Sequence, residues 1–172
     1  LGLNAGEEKL EAIGLSLGSD VPYFFHLSPA RVQGIGDKIS KITVKNQLYF
    51  LIIKPEKGLK TKDVYSVVDS QPIQEDHIDD VVKALSDGDW NLLINSIQND
   101  LYIPALSLYP ELKGVVAELR KAGFPVSMMT GSGSCCFALS PDKKAILQAE
   151  KTLSKKGFEV YVGKTNPKEE PL

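Results

Sequence analysis

The stretch Leu48–Lys54, read Leu-Tyr-Phe-Leu-Ile-Ile-Lys, is a near-continuous apolar run in an otherwise mixed chain. A strand without polar alternation is expected where both faces of a sheet are covered. The chain must therefore supply partner strands and a layer of helices. Thr61 opens a helix carrying Val64, Tyr65 and Val68, and Ile78–Leu85 and Asn91–Ile97 are amphipathic and helical. Pro110 occupies a favourable first helical position, and Leu112, Val115, Val116 and Leu119 follow at spacings of three and four until Gly123. Val126–Met129 and Cys135–Leu139 read as strands joined through a tight turn, Gly131-Ser-Gly133. Ser140-Pro141 is expected to cap a last helix with Ala145, Ile146, Ala149 and Leu153 on one face, and Phe158–Val162 is a final strand. The order strand, helices, strand, strand, helix, strand predicts an α+β fold: an antiparallel sheet with helices gathered on one face, ferredoxin-like in kind.

The preceding residues do not belong to that unit. Asn4 and Glu7 stand at capping-box spacing before a helix carrying Leu10, Ile13 and Leu17, with Gly18 as its stop. Aromatic residues bounded by proline argue a strand over Pro22–Leu27. Ala30–Gln33 and Ile39–Val44 read as two more strands, with turn chemistry at Gly34-Ile-Gly-Asp37 between them. The expected division is residues 1–47 as the end of a preceding domain and 48–172 as the ferredoxin-like domain. Residues 70–77 form a polar connector, and the charged, proline-bearing tail Lys164–Leu172 is expected to fray.

At 172 residues the chain can bury roughly 70% of its unfolded surface. Its 42% apolar and 24% charged residues are a globular composition. Twenty Lys and Arg against 22 Asp and Glu leave a net charge of −2, without the basic surplus of a nucleic-acid binder. The longest apolar run is too short to cross a bilayer, so no membrane partner is expected. Cys135 and Cys136 are neighbours, and bridging adjacent cysteines strains the peptide. The sequence is therefore no stapled secreted scaffold, and reduced thiols in a cytoplasm are the simpler reading. His26 and His77 fall in different elements with no second ligand at metal spacing, so no metal site is expected.

Two segments carry candidate chemistry. In Leu17-Gly-Ser-Asp-Val-Pro22 an acid follows a helix-ending glycine. Asp20 can be aimed into a cleft to take a proton from a hydroxyl during phosphoryl transfer, or it can hydrogen-bond the backbone of its own turn. In Thr130-Gly-Ser-Gly-Ser134 small residues can expose backbone amides as an anion nest, or the glycines can serve only the positive φ of a hairpin. The segment is no dinucleotide fingerprint, since a third glycine is missing and a strand follows. It is no P-loop either, since no Lys-Ser/Thr closes it.

Leu15-Ser-Leu-Gly-Ser-Asp-Val-Pro-Tyr-Phe-Phe25 resembles the segment after the phosphate loop of the GHMP kinases. It looks most like the L-G-A-D-V-P-F-F of the 4-diphosphocytidyl-2-C-methyl-D-erythritol kinases. Ala30-Arg-Val-Gln-Gly-Ile-Gly-Asp-Lys38 is similar to the family's A-x-G-x-G-E strand and turn. Asn99-Asp-Leu, Pro104-Ala-Leu and Tyr109-Pro-Glu-Leu112 are similar to its N-D-L-E-x-P-A-L and P-E-I run, and Met129-Thr-Gly-Ser-Gly-Ser134 to its third motif, M-S/T-G-S-G-S/A. The resemblance implies a GHMP-kinase C-terminal domain preceded by the end of the N-terminal one. It implies ATP-dependent phosphorylation of the 2-hydroxyl of 4-diphosphocytidyl-2-C-methyl-D-erythritol in non-mevalonate isoprenoid synthesis, with Mg2+ as the accompanying ion. Asp20 matches the family's catalytic aspartate. Gly131, Ser132 and Gly133 match the loop over the phosphates, and Thr61 and Tyr65 match positions near the substrate. The family's first two motifs, with the catalytic lysine and the main nucleotide cradle, would precede residue 1. The implied partner is therefore that N-terminal half, these residues alone are expected to be inactive, and the setting is the cytoplasm, or a plastid in a eukaryote. The alternatives are another GHMP kinase, for mevalonate derivatives, homoserine or a sugar, and a non-catalytic α+β interaction module.

Overall fold

The computed structural model describes residues 6–26, 28–68 and 77–165. They divide into two compact units, one ending at Lys45 and the other spanning Asn46–Thr165.

The first unit opens with α1, Glu7–Leu17, whose N-cap is Gly6. The expected cap Asn4 lies outside the described residues. The helix ends at Gly18, whose N–H donates to the carbonyl of Gly14. The next segment departs from expectation: Pro22–Phe25 is a 3-10 turn and not a strand. Proline at the first position of a helical turn has the right φ and no N–H to leave unsatisfied. The turn also brings two side chains back onto α1. The Phe25 ring lies so close over Gly14 that a Cβ there would stand 2.7 Å from it, and His26 Nε2 sits 3.2 Å from Glu11. Gly14 and Glu11 are three apart and share a helix face. β1 (Ala30–Gln33) and β2 (Lys38–Lys41) then pair antiparallel, with Val32 opposite Ile39. β2 stops at Lys41, short of the expected Val44.

The second unit is built on a four-stranded sheet in the order β4-β5-β3-β6, with every neighbouring pair antiparallel. β3 is Tyr49–Lys54, β4 Ser127–Met129, β5 Cys136–Ser140 and β6 Glu159–Lys164. The first strand of the unit is thus central: Ile53 lies opposite Cys136 on one side and Val160 on the other. One face of β3 is fully covered. Leu51, Ile53, Met129, Cys136 and Ala138 are buried with Leu112, Val115, Val116 and Leu119 of α6 (Leu112–Lys121) and Ile146, Ala149 and Leu153 of α7 (Lys143–Lys155). The other face is not, which corrects the reading of this run as covered on both sides. Phe50, Ile52 and Phe137 are half-buried there, and Tyr161 is 51% exposed. Part of the cover is local, since the Phe50 ring lies over Gly163, where a Cβ would meet it at 2.3 Å.

Among the described residues, five α-helices run between β3 and β4: α2 (Thr61–Tyr65), α3 (Ile78–Asp87), α4 (Trp90–Ser96), α5 (Tyr102–Leu108) and α6. α3 and α4 form a smaller core of Ala84, Leu93 and Val126, closed by Trp90 and Leu139. The connector expected at 70–77 lies, up to residue 76, outside the described residues. α5 is a helix that sequence periodicity does not provide. Its Pro104 falls in the first turn, where a missing N–H is harmless, and is buried. α6 begins at Leu112, two residues after the proline expected to open it. The expected cap of α7 is also displaced. Asp142 is the N-cap, accepting from the N–H groups of Lys144 (2.7 Å) and Ala145 (3.2 Å), while the Ser140 hydroxyl oxygen accepts from the N–H of Asp142.

Candidate functional site

The connection from β4 to β5 is closed by two backbone bonds: Thr130 N–H to the Cys135 carbonyl (2.9 Å) and Gly133 N–H to the Thr130 carbonyl (3.0 Å). Gly131 and Gly133 have φ of +55° and +88°, in the left-handed region that L side chains avoid at about 1–2 kcal/mol. A Cβ on Gly133 would also stand 2.6 Å from the Met129 sulfur, whereas Gly131 faces open space. The hairpin reading of this loop therefore holds. It does not account for the amides of Gly131 and Ser132, which donate to no group among the described residues. That leaves unspent N–H donors at the tip of the turn, those of Gly131 and Ser132 among them.

The loop is held from two sides. The Asn99 side chain, in the turn between α4 and α5, donates through Nδ2 to the carbonyls of Met129 and Gly131, both at 2.9 Å, and accepts through Oδ1 from the Leu101 N–H at 2.9 Å. Ser134 Oγ donates to the Lys57 carbonyl at 2.6 Å, and the hydroxyls of Thr61 and Ser132 share a hydrogen bond of 2.9 Å. Lys57 in turn donates to the Leu108 carbonyl and lies 5.0 Å from the centre of the Tyr109 ring. The strap from β3 to α2 is thereby fixed to the loop. Val64 anchors α2 in the core. Tyr65, one turn beyond Thr61 on the same helix face, is 57% exposed. The structure thus brings Thr61 to Ser132, beside Gly131 and Gly133, and leaves the Tyr65 ring open to solvent.

Asp20 stands in the first unit and is described there by itself. Its backbone lies in the turn closed by Val21 N–H to the Gly18 carbonyl (3.1 Å). The carboxylate is exposed, and its hydrogen-bond partner is the Ser19 hydroxyl at 3.5 Å. Among the described residues no backbone amide donates to it, so the turn-capping role that would explain an aspartate here is not filled. Its turn is positioned by the β1–β2 hairpin. Gly36, with φ of +95°, comes so close that a Cβ would stand 2.0 Å from the Ser19 carbonyl oxygen.

Asn99 is the site-forming residue that periodicity and spacing pass over. The available signal was its place just before a helix, where its Oδ1 takes the N–H two residues on. Of the thiols, Cys136 is buried in the core, and burial, with a smaller contribution from neighbouring Cys135, pushes it up to about 12. Among the described residues no three His, Cys, Asp or Glu side chains cluster as a metal site, and no helix is long and apolar enough to cross a membrane.

Residues 81–159 match the family model for the C terminus of the GHMP kinases. The chain carries a GHMP-kinase C-terminal domain. The match contains Asn99 and the Thr130–Ser134 loop and stops short of Thr61, Tyr65 and Asp20. The chain is 32% identical over 164 residues to a 4-diphosphocytidyl-2-C-methyl-D-erythritol kinase of Clostridium tetani, with 94% of this chain and 58% of that protein aligned. It is 34% identical over 166 residues to a putative kinase of the same name from Streptococcus uberis, covering 95% and 58%. A crystal structure of 4-(cytidine 5'-diphospho)-2C-methyl-D-erythritol kinase superposes with a TM-score of 0.78 at 25% identity, over 95% of this chain and 58% of that one. A homoserine kinase from Cytophaga hutchinsonii shares the fold, with a TM-score of 0.73 at 22% identity. The chain thus spans under three fifths of the curated relatives it matches.

Proposed function

We propose that this chain is the C-terminal portion of an ATP-dependent kinase that phosphorylates the 2-hydroxyl of 4-diphosphocytidyl-2-C-methyl-D-erythritol, a step in non-mevalonate isoprenoid synthesis. What carries the reading is the end-to-end match: relatives bearing that name align with 94–95% of the chain at 32% and 34% identity. In this reading the second unit is the C-terminal domain and the first unit the end of the N-terminal one. The open amides of Gly131 and Ser132 fit an anionic group such as a nucleotide phosphate, which is held by N–H donors that need no rearrangement. ATP supplies the transferable phosphoryl group. Asp20 orients the accepting hydroxyl and takes its proton as the new oxygen–phosphorus bond forms and the bond from the γ-phosphorus to the β–γ bridging oxygen breaks, with ADP leaving. Thr61 and the exposed Tyr65 ring contact the substrate. The described residues hold no ready metal cluster, so Mg2+ would come to the site on the phosphates.

The partner in this reading is the N-terminal half of the same enzyme, which supplies the main nucleotide cradle. Supporting it, the first unit leaves large apolar side chains in water, among them Leu17 at 76%, Ile35 at 70% and Phe24 at 67% exposure. The two adjacent free thiols favour a cytoplasmic setting. The test is a phosphorylation assay on the full-length protein with ATP and, in parallel, the cytidyl diphosphate substrate, homoserine and mevalonate. Turnover confined to the first is expected. Turnover of homoserine or mevalonate instead would overturn the substrate, and no transfer to any alcohol would overturn the kinase.

A further inference from the structure

The Asn99 amide uses both of its donors and accepts once through its oxygen, all at 2.9 Å. That pattern also fixes which way the amide faces, because its oxygen must meet the Leu101 N–H and its nitrogen two carbonyls. The two carbonyls belong to the peptides Met129–Thr130 and Gly131–Ser132, both trans. In a planar trans peptide the C=O and the N–H point in opposite directions. Holding a carbonyl therefore aims the amide on its far side. The first peptide shows the effect: with its carbonyl on Asn99, its N–H points onto the Cys135 carbonyl. In the second peptide the same hold turns the Ser132 N–H away from Asn99, where it meets no acceptor among the described residues. Donation to a carbonyl also polarises that peptide and makes its N–H a stronger donor.

We propose that Asn99 is a positioning residue: by holding the Gly131 carbonyl it aims and strengthens the Ser132 amide as a donor to a phosphate oxygen. Its effect on turnover rests on the kinase reading above; its effect on phosphate binding does not. Two substitutions separate this role from simple support of the α4–α5 turn. Asn99→Asp keeps the acceptor for Leu101 and removes both donors. Asn99→Ser removes the donors without adding charge.

The measurement is amide NMR and titration of the full-length protein with inorganic pyrophosphate and with ATP, alongside steady-state kinetics. In the wild type, pyrophosphate should shift the Ser132 amide and leave that of Thr130, already spent on Cys135, unmoved. In both variants the affinity for pyrophosphate should fall about tenfold, the scale of one hydrogen bond to a charged group. The KM for ATP should rise by a similar factor while that for the alcohol stays within about twofold, a split that a merely structural role would not produce. A wild-type Ser132 amide indifferent to pyrophosphate and ATP would overturn the proposal whatever the variants do. So would folded variants with unchanged affinity, or equal losses for ATP and alcohol. Asn99-dependent pyrophosphate binding without turnover of the cytidyl diphosphate substrate would leave Asn99 in its role and remove the kinase reading instead.

Discussion

A carboxylate with a 3.5 Å contact to one hydroxyl contributes little to the fold, so Asp20 can be altered almost free of structural consequence. Asp20→Asn in the full-length protein should keep its melting temperature and lose about 10²–10⁴-fold in kcat, with KM little moved. A folded variant that retains more than about a tenth of wild-type kcat would remove Asp20 from proton transfer. The cysteines make the opposite contrast. Cys136 is buried and pushed up to about 12, so at pH 8 it offers essentially no thiolate, while Cys135 is half-exposed on the neighbouring position. Iodoacetamide at pH 8 should label Cys135 alone in the folded protein and both residues in denaturant; equal labelling of the native protein would contradict the burial. The raised Cys136 value has a sign for stability as well. From the thiol's ordinary 9.0 up to about 12 the unfolded chain has already released its proton while the folded one still holds it. Stability therefore falls as pH rises across that window and is untouched by Cys136 below it.

The two glycines of the β1–β2 turn have different neighbours. A Cβ at Gly36 would meet the Ser19 backbone carbonyl at 2.0 Å, and backbone cannot swing aside. At Gly34 the obstacle, at 2.2 Å, is the Asp37 carboxylate, which can rotate away. Both positions have positive φ, so both alanines are strained by about 1–3 kcal/mol. Gly36→Ala should nonetheless melt clearly lower than Gly34→Ala and should also reduce kcat, because it displaces the turn that carries Asp20. Equal melting temperatures would refute the packing argument. How far such elements could be read from sequence follows the reach of their causes. The helices α6 and α7 and the sheet strands were legible, since their apolar spacing is written within each segment. The two loop glycines were legible because positive φ is a local demand. The Pro22–Phe25 turn was not: its conformation answers to Gly14 and Glu11 on another element, while its own aromatic residues favour a strand. α5 was hidden by a proline that is harmless only when its place in the helix is known. The role of Asn99 is hidden in the sequence, because its carbonyl partners lie 30 and 32 residues on.

For the molecule as a whole, the fold is shared across kinases acting on different alcohols, so topology assigns the scaffold and the local site has to assign the chemistry. If the main nucleotide cradle lies upstream, as in the proposed reading, residues 1–172 alone should show no measurable phosphoryl transfer, because that transfer depends on positioning and charge neutralisation of the phosphates. The same residues joined to the upstream segment should turn over, and robust activity of the shorter protein would show that the cradle lies within it. The central place of β3 sets a further condition, on the timing of folding. The residue that leads into this strand, Leu48, is tied to Thr165, 117 positions later, and both partners of β3 are among the last strands made. During synthesis the most apolar strand of the unit must wait for about 5–20 s at usual elongation rates, unpaired on both edges until β5 emerges and on one edge until β6 follows. The yield of folded protein should therefore depend on the ribosome's own tempo and on any chaperone that shields Tyr49–Lys54 meanwhile, and a stop codon placed before Glu159 should send the product to aggregates and not to a smaller folded domain.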